Sequence, residues 1–370
     1  MTVPQRLLLG PGPSPVSERV MRALSSPVLS HLDPYLLEVL DSLRARLAST
    51  FRAAPDALTL AISGTGTSGM EAAVANLAEP GSKATVVVTG YFGDRLAQIL
   101  ERHGAEVERI EVEWGRACDP ARVEDALRRR PADLVGIVQA ETSTGVLNPV
   151  DDIAGIAQRH GSIVIVDAVT SLGAMPVNVS TWGTAVCYSC SQKGLGAPSG
   201  LAPITFSAAA LTRRVGCRSF YLDLGLLEDY WLRRKYHHTI SAPLILALHE
   251  ALAIVEEEGL DARHTRHEQN HNALVEGLST LGLTVLPPEG ERLWTLNAVR
   301  VPDGVNEAGV RRDLLEKHGI EIGAGLGPLA GRIWRVGLMG AGSTRANVDL
   351  FLSALGTAVT ASRGGPSVRH

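Results

Sequence analysis

Six apolar runs in the first two-thirds of the chain, separated by helix-like segments, constrain the fold most strongly. Many of them lack the alternation of a half-exposed strand, which is typical of a parallel sheet buried on both faces. The runs cover residues 58–62, 85–89, 134–139, 163–167, 185–190 and 203–206. Apolar residues at helical spacing predict helices over residues 36–47, 70–77, 95–103, 120–129 and 153–160. This order predicts a layered α/β domain with a mostly parallel sheet.

The last third of the chain has a different pattern and predicts a smaller α+β domain. Its predicted elements are a His- and Arg-rich helix over 261–281, an extended segment over 294–301, a helix over 306–318, strands over 320–322 and 333–337, and a helix over 344–355. Two domains suit 370 residues, because single cores stop growing at about 250–300 residues. We expect an N-terminal arm over residues 1–20, a large domain over 21–260 and a small domain over 261–370. The Gly-, Ser- and Pro-rich tail from residue 362 is expected to fray.

Composition excludes several classes of protein. A net charge of −4 leaves no basic surplus for binding nucleic acid. No apolar run approaches the ~18 residues of a membrane span, and residues 1–12 lack the layout of a signal peptide. Four cysteines in a chain of this length do not form a disulfide framework, so a cytoplasmic protein is expected. We interpret Cys187 and Cys190 as small buried residues on opposite faces of one strand, and expect no metal site.

An acid and a lysine follow two of the predicted strands. Asp167 ends the run over 163–167, and Lys193 comes shortly after the run over 185–190. Either residue alone is the ordinary polar end of a strand. Together they are the pair with which a protein holds pyridoxal phosphate. The lysine amine forms a Schiff base with the cofactor aldehyde, and the carboxylate keeps a proton on the pyridine nitrogen.

A glycine-rich motif, Gly64-Thr-Gly-Thr-Ser-Gly69, lies between a predicted strand and a predicted helix. A dinucleotide site has this pattern, but it also needs an acid about 20 positions later to bind the ribose. The next predicted strand ends instead at Thr89 and Gly90. We therefore interpret the motif as a phosphate site. Its ligands are expected to be N–H groups at a helix start and the hydroxyls of Thr65, Thr67 and Ser68.

Three further residues complete this hypothesis. Phe92 and Val169 lie on predicted strand-end loops and are candidates to cover the two faces of the pyridine ring. Arg335 lies on a predicted strand of the small domain, where a guanidinium can bind a substrate carboxylate in a bidentate manner. A surface ion pair is the alternative interpretation of Arg335.

Seven motifs in chain order now give the sequence a specific resemblance over nearly its whole length. The chain resembles the class V aminotransferases of pyridoxal phosphate fold type I, in the alanine–glyoxylate aminotransferase subfamily. The motifs are Leu7-Leu-Leu-Gly-Pro-Gly-Pro13, Ser63-Gly-Thr-Gly-Thr67, Glu141-Thr-Ser-Thr-Gly145, Asp167-Ala-Val-Thr-Ser-Leu-Gly173, Ser191-Gln-Lys193, Tyr236-His-His-Thr239, and Gly325-Leu-Gly-Pro328 with Arg335-Val-Gly337.

The resemblance implies site residues as well as a fold with a large cofactor-binding domain and a small C-terminal domain. Lys193 and Asp167 would be catalytic. The cofactor would be held by Thr65, Gly66, Thr67, Phe92, Thr142, Asp167, Val169, Gln192 and Lys193, with Tyr236 and Thr239 reaching the phosphate of a neighbouring subunit. A homodimer with shared active sites follows from that last pair. The substrate would lie near Arg335, Gly12, Tyr236 and His31.

Some stretches, such as Glu113-Trp-Gly115, are also similar to ureidoglycine–glyoxylate aminotransferases. That branch uses a Gln and an Asn to recognise the ureido group, where this chain has His31 and Tyr236. A tyrosine cannot offer the paired donor and acceptor of an amide. The resemblance therefore implies a small 2-amino acid donor, alanine or serine, and glyoxylate or pyruvate as acceptor in a ping-pong reaction. Ureidoglycine and the donor of a dedicated biosynthetic transaminase remain alternatives.

Overall fold

The computed structural model describes residues 3–364, which form a large α/β layer and a smaller α+β layer. The strands are β1 (Leu7–Leu8), β2 (Leu58–Gly64), β3 (Lys83–Val88), β4 (Glu106–Glu111), β5 (Leu134–Val138), β6 (Ala140–Glu141), β7 (Val146–Leu147), β8 (Ile163–Asp167), β9 (Ala185–Tyr188), β10 (Gly200–Phe206), β11 (Leu296–Arg300), β12 (Ile320–Glu321), β13 (Gly323–Ala324) and β14 (Ile333–Gly337). The helices are α1 (Glu18–Leu24), α2 (Pro34–Thr50), α3 (Gly66–Ala75), α4 (Tyr91–Arg102), α5 (Pro120–Arg129), α6 (Val150–Arg159), α7 (Ala208–Leu211), α8 (Leu224–Arg233), α9 (Ala242–Glu258), α10 (Leu260–Thr280), α11 (Glu307–His318) and α12 (Arg345–Gly364).

A seven-stranded sheet in the order β2-β10-β9-β8-β5-β3-β4 forms the centre of the large layer. Strand β10 pairs antiparallel with β2 and β9, and the other neighbouring pairs are parallel. Side chains of β5 and β8 are buried on both faces, as their unbroken apolar sequence predicts. Parallel strands bring their carboxyl ends to one edge, where ligands of open α/β sheets bind.

A second apolar core lies in the C-terminal part and includes Leu9 of the N-terminal arm. Strand β1 pairs in parallel with β12, so the arm is tied to the small layer before the chain enters the large one. Helices α10, α11 and α12 share this core with strands β11 and β14 of the small sheet β11-β14-β13. The first apolar core contains residues of α9 and none of α10. The predicted domain boundary at residue 260 remains a prediction that agrees with this division.

The structure confirms the predicted α/β fold with a mostly parallel sheet and differs from the prediction in detail. The strand predicted over 185–190 ends at Tyr188, because its neighbour β8 ends at Asp167, the residue paired with Tyr188. Cys187 lies in the strand, but Cys190 lies beyond it, so placing both on one strand was wrong. Helix α12 continues to Gly364, so residues 362–364, which were predicted to belong to the tail, are helical. The rest of the predicted tail, 365–370, lies outside the described residues.

Residues 3–364 contain neither a membrane-spanning helix nor a cluster of metal-binding side chains. No helix in this part of the chain has both the length and the apolar character required to cross a bilayer. Among the same residues, no three His, Cys, Asp or Glu side chains converge where a metal ion could bind.

Candidate active site

A cavity opens at the carboxyl edge of the central sheet, where the loops after β2, β3, β5, β8 and β9 meet. Its walls combine apolar side chains, hydroxyls and three charged groups. The lining residues are Thr65, Gly66, Thr67, Met70, Phe92, Arg95, Val138, Ala140, Thr142, Asp167, Val169, Thr170, Cys190, Gln192 and Lys193. Nine of the eleven residues that the sequence assigns to the cofactor are therefore brought together here.

Asp167 is the last residue of β8 and is buried in the floor of this cavity. One carboxylate oxygen accepts the Val169 N–H at 2.8 Å, and the other accepts the Tyr188 hydroxyl at 3.0 Å. Burial raises the pKa of Asp167 from 3.8 to about 7; these two hydrogen bonds oppose the rise, and the nearby Glu141 carboxylate adds to it. A cation placed against Asp167 would bring the carboxyl back to its ionised form.

Lys193 lies on the loop that follows β9, and its side chain points towards the N-terminal arm. Its Nζ donates a hydrogen bond to the Pro11 carbonyl, and burial lowers the pKa of the amine below 10.5. Gly12, the next residue of the arm, has a φ of +112°, and a Cβ there would lie only 2.4 Å from Nζ. The positive φ favours glycine at position 12, and a Cβ there would also require the Lys193 side chain to move.

The glycine-rich motif forms the start of α3, with Thr65 at the N-cap position. Thr65 makes no side-chain capping bond, so the first N–H groups of the helix remain available to an anion. A Cβ on Gly66 would lie 2.7 Å from Val169, which shows how closely this turn approaches the floor of the cavity. Gln192 also lines the cavity, and its Oε1 is buried without a hydrogen-bond partner in the described structure. Rotating that carboxamide by half a turn would present its NH₂ group there instead.

Phe92 and Val169 both line the cavity, as the sequence predicts for groups that cover a flat ring. The Arg95 guanidinium lies 4.9 Å from the centre of the Phe92 ring and donates to the Thr67 hydroxyl at 3.1 Å. Arg95 thus joins the aromatic wall to the glycine-rich motif and places a positive charge beside it.

Thr142 follows a buried acid that holds the neighbouring loops in place. Glu141 is fully buried and accepts the N–H groups of Phe92 and Gly93, each at 3.1 Å. It also accepts the N–H and the hydroxyl of Ser143, the latter at 2.6 Å. Burial raises the pKa of Glu141, although these donors oppose the rise. The carboxylate therefore fixes Phe92 and Thr142 on their respective walls.

Arg335 lies on β14 beside the cavity and is only 8% exposed. Its Nε donates to the Ala324 carbonyl at 2.6 Å, and one Nη reaches the Thr142 carbonyl at 3.5 Å. No carboxylate of the described residues lies within 4.0 Å of the guanidinium. Burial lowers the pKa of Arg335, and the more distant Glu141 and Glu321 oppose that effect. The alternative interpretation of a surface ion pair is therefore wrong, and the buried charge still lacks an anion.

The remaining predicted residues do not line the cavity of their own chain. His31 and Tyr236 lie together, with ring centres 5.3 Å apart, and Tyr236 is 64% exposed. Thr239 is also exposed. The adjacent His238 accepts or donates a hydrogen bond at 2.8 Å with Ser63, at the end of the strand that leads into the glycine-rich motif. Their predicted role at the site of a second subunit remains a prediction.

The cavity fits pyridoxal phosphate in its shape and its polar groups. A buried carboxyl stands at its floor, a lysine at its mouth, an uncapped helix start at one end and apolar side chains on two walls. The unpartnered Gln192 oxygen marks a further position where a ligand would complete the hydrogen bonding.

Sequence reasoning missed three polar residues of the site: Tyr188, Glu141 as a ligand of backbone N–H groups, and Arg95. Tyr188 is the strand residue paired with Asp167, so the register of two predicted strands could have indicated it. Arg95 lies three residues after Phe92, one helical turn away, which is also a sequence signal. The hydrogen bonds from Phe92 and Gly93 to Glu141 join loops that are far apart in sequence, and no local sequence pattern predicts them.

Comparison with known proteins gives the same assignment. The family model of class-V aminotransferases matches residues 11–350. An alanine–glyoxylate aminotransferase from Drosophila melanogaster is 38% identical, covering 98% of this chain and 94% of the relative. The solved structure of an alanine–glyoxylate aminotransferase from Nostoc sp. is 41% identical with a TM-score of 0.94, covering 97% of this chain and 96% of that one. The structure of ureidoglycine–glyoxylate aminotransferase from Bacillus subtilis is 34% identical with a TM-score of 0.95, covering 100% and 96%. The chain therefore belongs to the class-V aminotransferase family and is a pyridoxal phosphate-dependent aminotransferase.

Proposed function

We propose that this enzyme transfers an amino group from a small 2-amino acid, alanine or serine, to glyoxylate or pyruvate. The observation that carries the proposal is the buried Arg335 guanidinium, which lacks a carboxylate partner beside a cavity that holds Lys193 and Asp167. Amino acids and 2-oxo acids share one carboxylate, so a single guanidinium can bind both substrates in turn.

The proposed roles of the residues follow from their positions. When bound, pyridoxal phosphate supplies an aldehyde that joins to amines and a ring that accepts electrons from the substrate Cα. Asp167 would hold a proton at the ring nitrogen, and Phe92 and Val169 would cover the ring faces. Lys193 Nζ, whose pKa burial lowers, would take the proton from the substrate Cα and place it on the former aldehyde carbon of the cofactor, so that hydrolysis can then release the 2-oxo acid.

The phosphate would be bound by Thr65, Gly66 and Thr67 at the start of α3 together with Gln192, and Thr142 would lie near the ring hydroxyl. We propose a homodimer in which Tyr236 and Thr239 complete the phosphate site of the partner subunit. Their exposure in the single chain supports this arrangement. All four cysteines are free thiols, which is the state that a reducing cytoplasm maintains.

A second candidate donor is (S)-ureidoglycine, because one relative of high structural similarity carries that activity in its name. Recognition of a ureido group requires paired donors and acceptors, which an amide supplies and Tyr236 does not. We therefore propose alanine or serine first. A dedicated biosynthetic transaminase with another donor is the third possibility.

The donor can be identified from the visible band of the loaded enzyme. Alanine, serine and (S)-ureidoglycine are mixed with it separately, and loss of the band is followed by rapid mixing. Glyoxylate or pyruvate is then added to restore it. The proposal predicts the fastest loss with alanine or serine. Fastest loss with ureidoglycine would establish the second candidate instead. Tyr236→Asn should increase the rate with ureidoglycine and weaken cofactor binding.

A further inference from the structure

The backbone of the loop that carries Lys193 is held at three consecutive carbonyl groups. The Ser14 N–H donates to the Gln192 carbonyl at 2.9 Å, and the Ser14 hydroxyl donates to the Lys193 carbonyl at 2.8 Å. The Arg263 guanidinium donates to the Gly194 carbonyl at 2.9 Å. One serine and one arginine therefore bind the residue before Lys193, Lys193 itself and the residue after it.

Ser14 and Arg263, which bind this loop, both lie outside the large apolar core. Ser14 lies in the N-terminal arm, downstream of the β1–β12 pair, and is 2% exposed. Arg263 lies in the first turns of α10 and is 3% exposed. The loop thus sits between two buried polar groups that reach it from the side of the small layer.

Arg263 also joins the Lys193 loop to the loop that follows Asp167. Its Nε donates to the Gly173 carbonyl at 2.7 Å, and its other Nη pairs with Glu258 at 2.5 Å. The two loops touch so closely that a Cβ on Gly194 would lie 2.4 Å from the Leu172 carbonyl. A single guanidinium therefore fixes the spacing between the loops of the acid and of the lysine.

This arrangement suits a lysine that must change partners. Lys193 has a flexible four-carbon side chain, and its Nζ is bonded to Pro11 in the described structure. A fixed backbone restricts the arc through which Nζ can move between the arm and the cavity. A misplacement of about 1 Å can reduce a reaction rate about 100-fold. Hydrogen bonds that fix the backbone of this loop would therefore increase the rate of the steps that use Nζ.

We propose that Ser14 and Arg263 are positioning residues, which hold the Lys193 loop so that Nζ reaches the reacting atoms. The proposal rests on the function proposed above for Lys193. Neither side chain lines the cavity, so neither is expected to contact cofactor or substrate.

The test compares Ser14→Ala and Arg263→Met with Arg266→Met. Arg266 lies on the same helix, shares Glu258 and donates to the Gly340 and Ser343 carbonyls, but does not bind the Lys193 loop. For each variant, kcat and KM for the donor are measured, together with the rate at which the visible band forms when pyridoxal phosphate is added to cofactor-free protein. Thermal stability is recorded alongside.

In Ser14→Ala we expect kcat and the rate of band formation to fall about fivefold, which corresponds to the loss of one hydrogen bond. In Arg263→Met both rates should fall about 100-fold. KM should change little in either variant. Arg266→Met should lose stability and keep both rates. Loss of stability without loss of either rate in Ser14→Ala would overturn the proposal. If Arg263→Met does not fold, Ser14→Ala alone decides between these results. Absence of a visible band in the wild-type enzyme would instead refute the function proposed for Lys193, and the positioning role with it.

Discussion

Replacing Arg335 with methionine should reduce the use of amino acids greatly without destabilising the substrate-free enzyme. The guanidinium has five N–H donors, of which Nε is committed to Ala324 and one Nη reaches Thr142 only at 3.5 Å. Three donors therefore remain, and a substrate carboxylate bound in a bidentate manner would use two of them. Hydrogen bonds to charged groups contribute about 1.5–3 kcal/mol each, so losing two costs about 3–6 kcal/mol. This corresponds to a fall in kcat/KM of roughly two to four orders of magnitude.

Removing a buried polar group usually lowers the thermal stability of a protein, but removing the Arg335 guanidinium should leave it unchanged or raise it. Arg335 is buried without a carboxylate partner within 4.0 Å, so the folded protein bears the cost of its lost hydration. Methionine fills a similar space without a charge. We expect the melting temperature of Arg335→Met to equal or exceed that of the wild type when no substrate is present.

The assay measures kcat/KM for alanine and for ethylamine, which lacks the carboxylate, in wild type and variant. Arg300→Met serves as the matched control, because Arg300 is exposed on β11, the strand paired with that of Arg335. The preference for alanine over ethylamine should collapse in Arg335→Met and persist in Arg300→Met. Equal losses for both amines, or a loss of activity that parallels a loss of thermal stability, would refute the reasoning.

Three further predictions concern the cofactor cavity. Gly12→Ala should lower thermal stability because its φ is +112°, and should also lower cofactor loading because its Cβ, 2.4 Å from Lys193 Nζ, would displace that amine. Gly81→Ala, at a φ of +90° with no neighbour within 4 Å, should show only a strain cost of about 1–3 kcal/mol, and similar cofactor loading in the two variants would contradict this explanation. Tyr188→Phe removes a hydrogen bond that lowers the pKa of Asp167. The pH below which cofactor affinity declines, measured by fluorescence titration, should therefore be about one unit higher in this variant. An unchanged pH dependence of cofactor affinity would show that the Tyr188 hydroxyl does not affect the pKa of Asp167. Asp167→Asn should become more stable relative to the wild type as pH rises from about 4 to 7, by up to about 4 kcal/mol in cofactor-free protein. The sign follows because the folded wild type retains a proton on Asp167 that the unfolded chain has released, and parallel pH profiles of unfolding would contradict it.

The central strands could be predicted because their burial leaves a direct signal in the sequence. Strand β5 is apolar throughout and β8 is apolar up to its last residue, Asp167, whereas the edge strand β4 carries charged residues such as Glu106 and Arg109 and was not predicted. The position of Asp167 at a strand end, with Lys193 just beyond the next one, follows from the same pattern. A sheet of this kind brings its carboxyl ends together without any need for knowledge of side-chain contacts.

Long-range polar contacts left no such signal. Helix α10 has a polar sequence, yet it buries Arg263 and His267, because backbone carbonyls and N–H groups of distant loops supply their partners. The hold of Ser14 on the Lys193 loop spans 179 residues and uses backbone atoms that every sequence contains. His31 and Tyr236 lie outside the cavity of their own chain. Their predicted role depends on a second subunit.

The most direct test of the central claim is to locate the cofactor on the chain. The wild-type enzyme and Lys193→Ala are incubated with pyridoxal phosphate, reduced with borohydride, digested and examined by mass spectrometry. We predict a pyridoxyl group on the peptide that contains Lys193 in the wild type and none at that site in the variant. A modified lysine elsewhere in the wild type, or equal labelling of both proteins, would contradict the assignment of Lys193 as the residue that carries the cofactor.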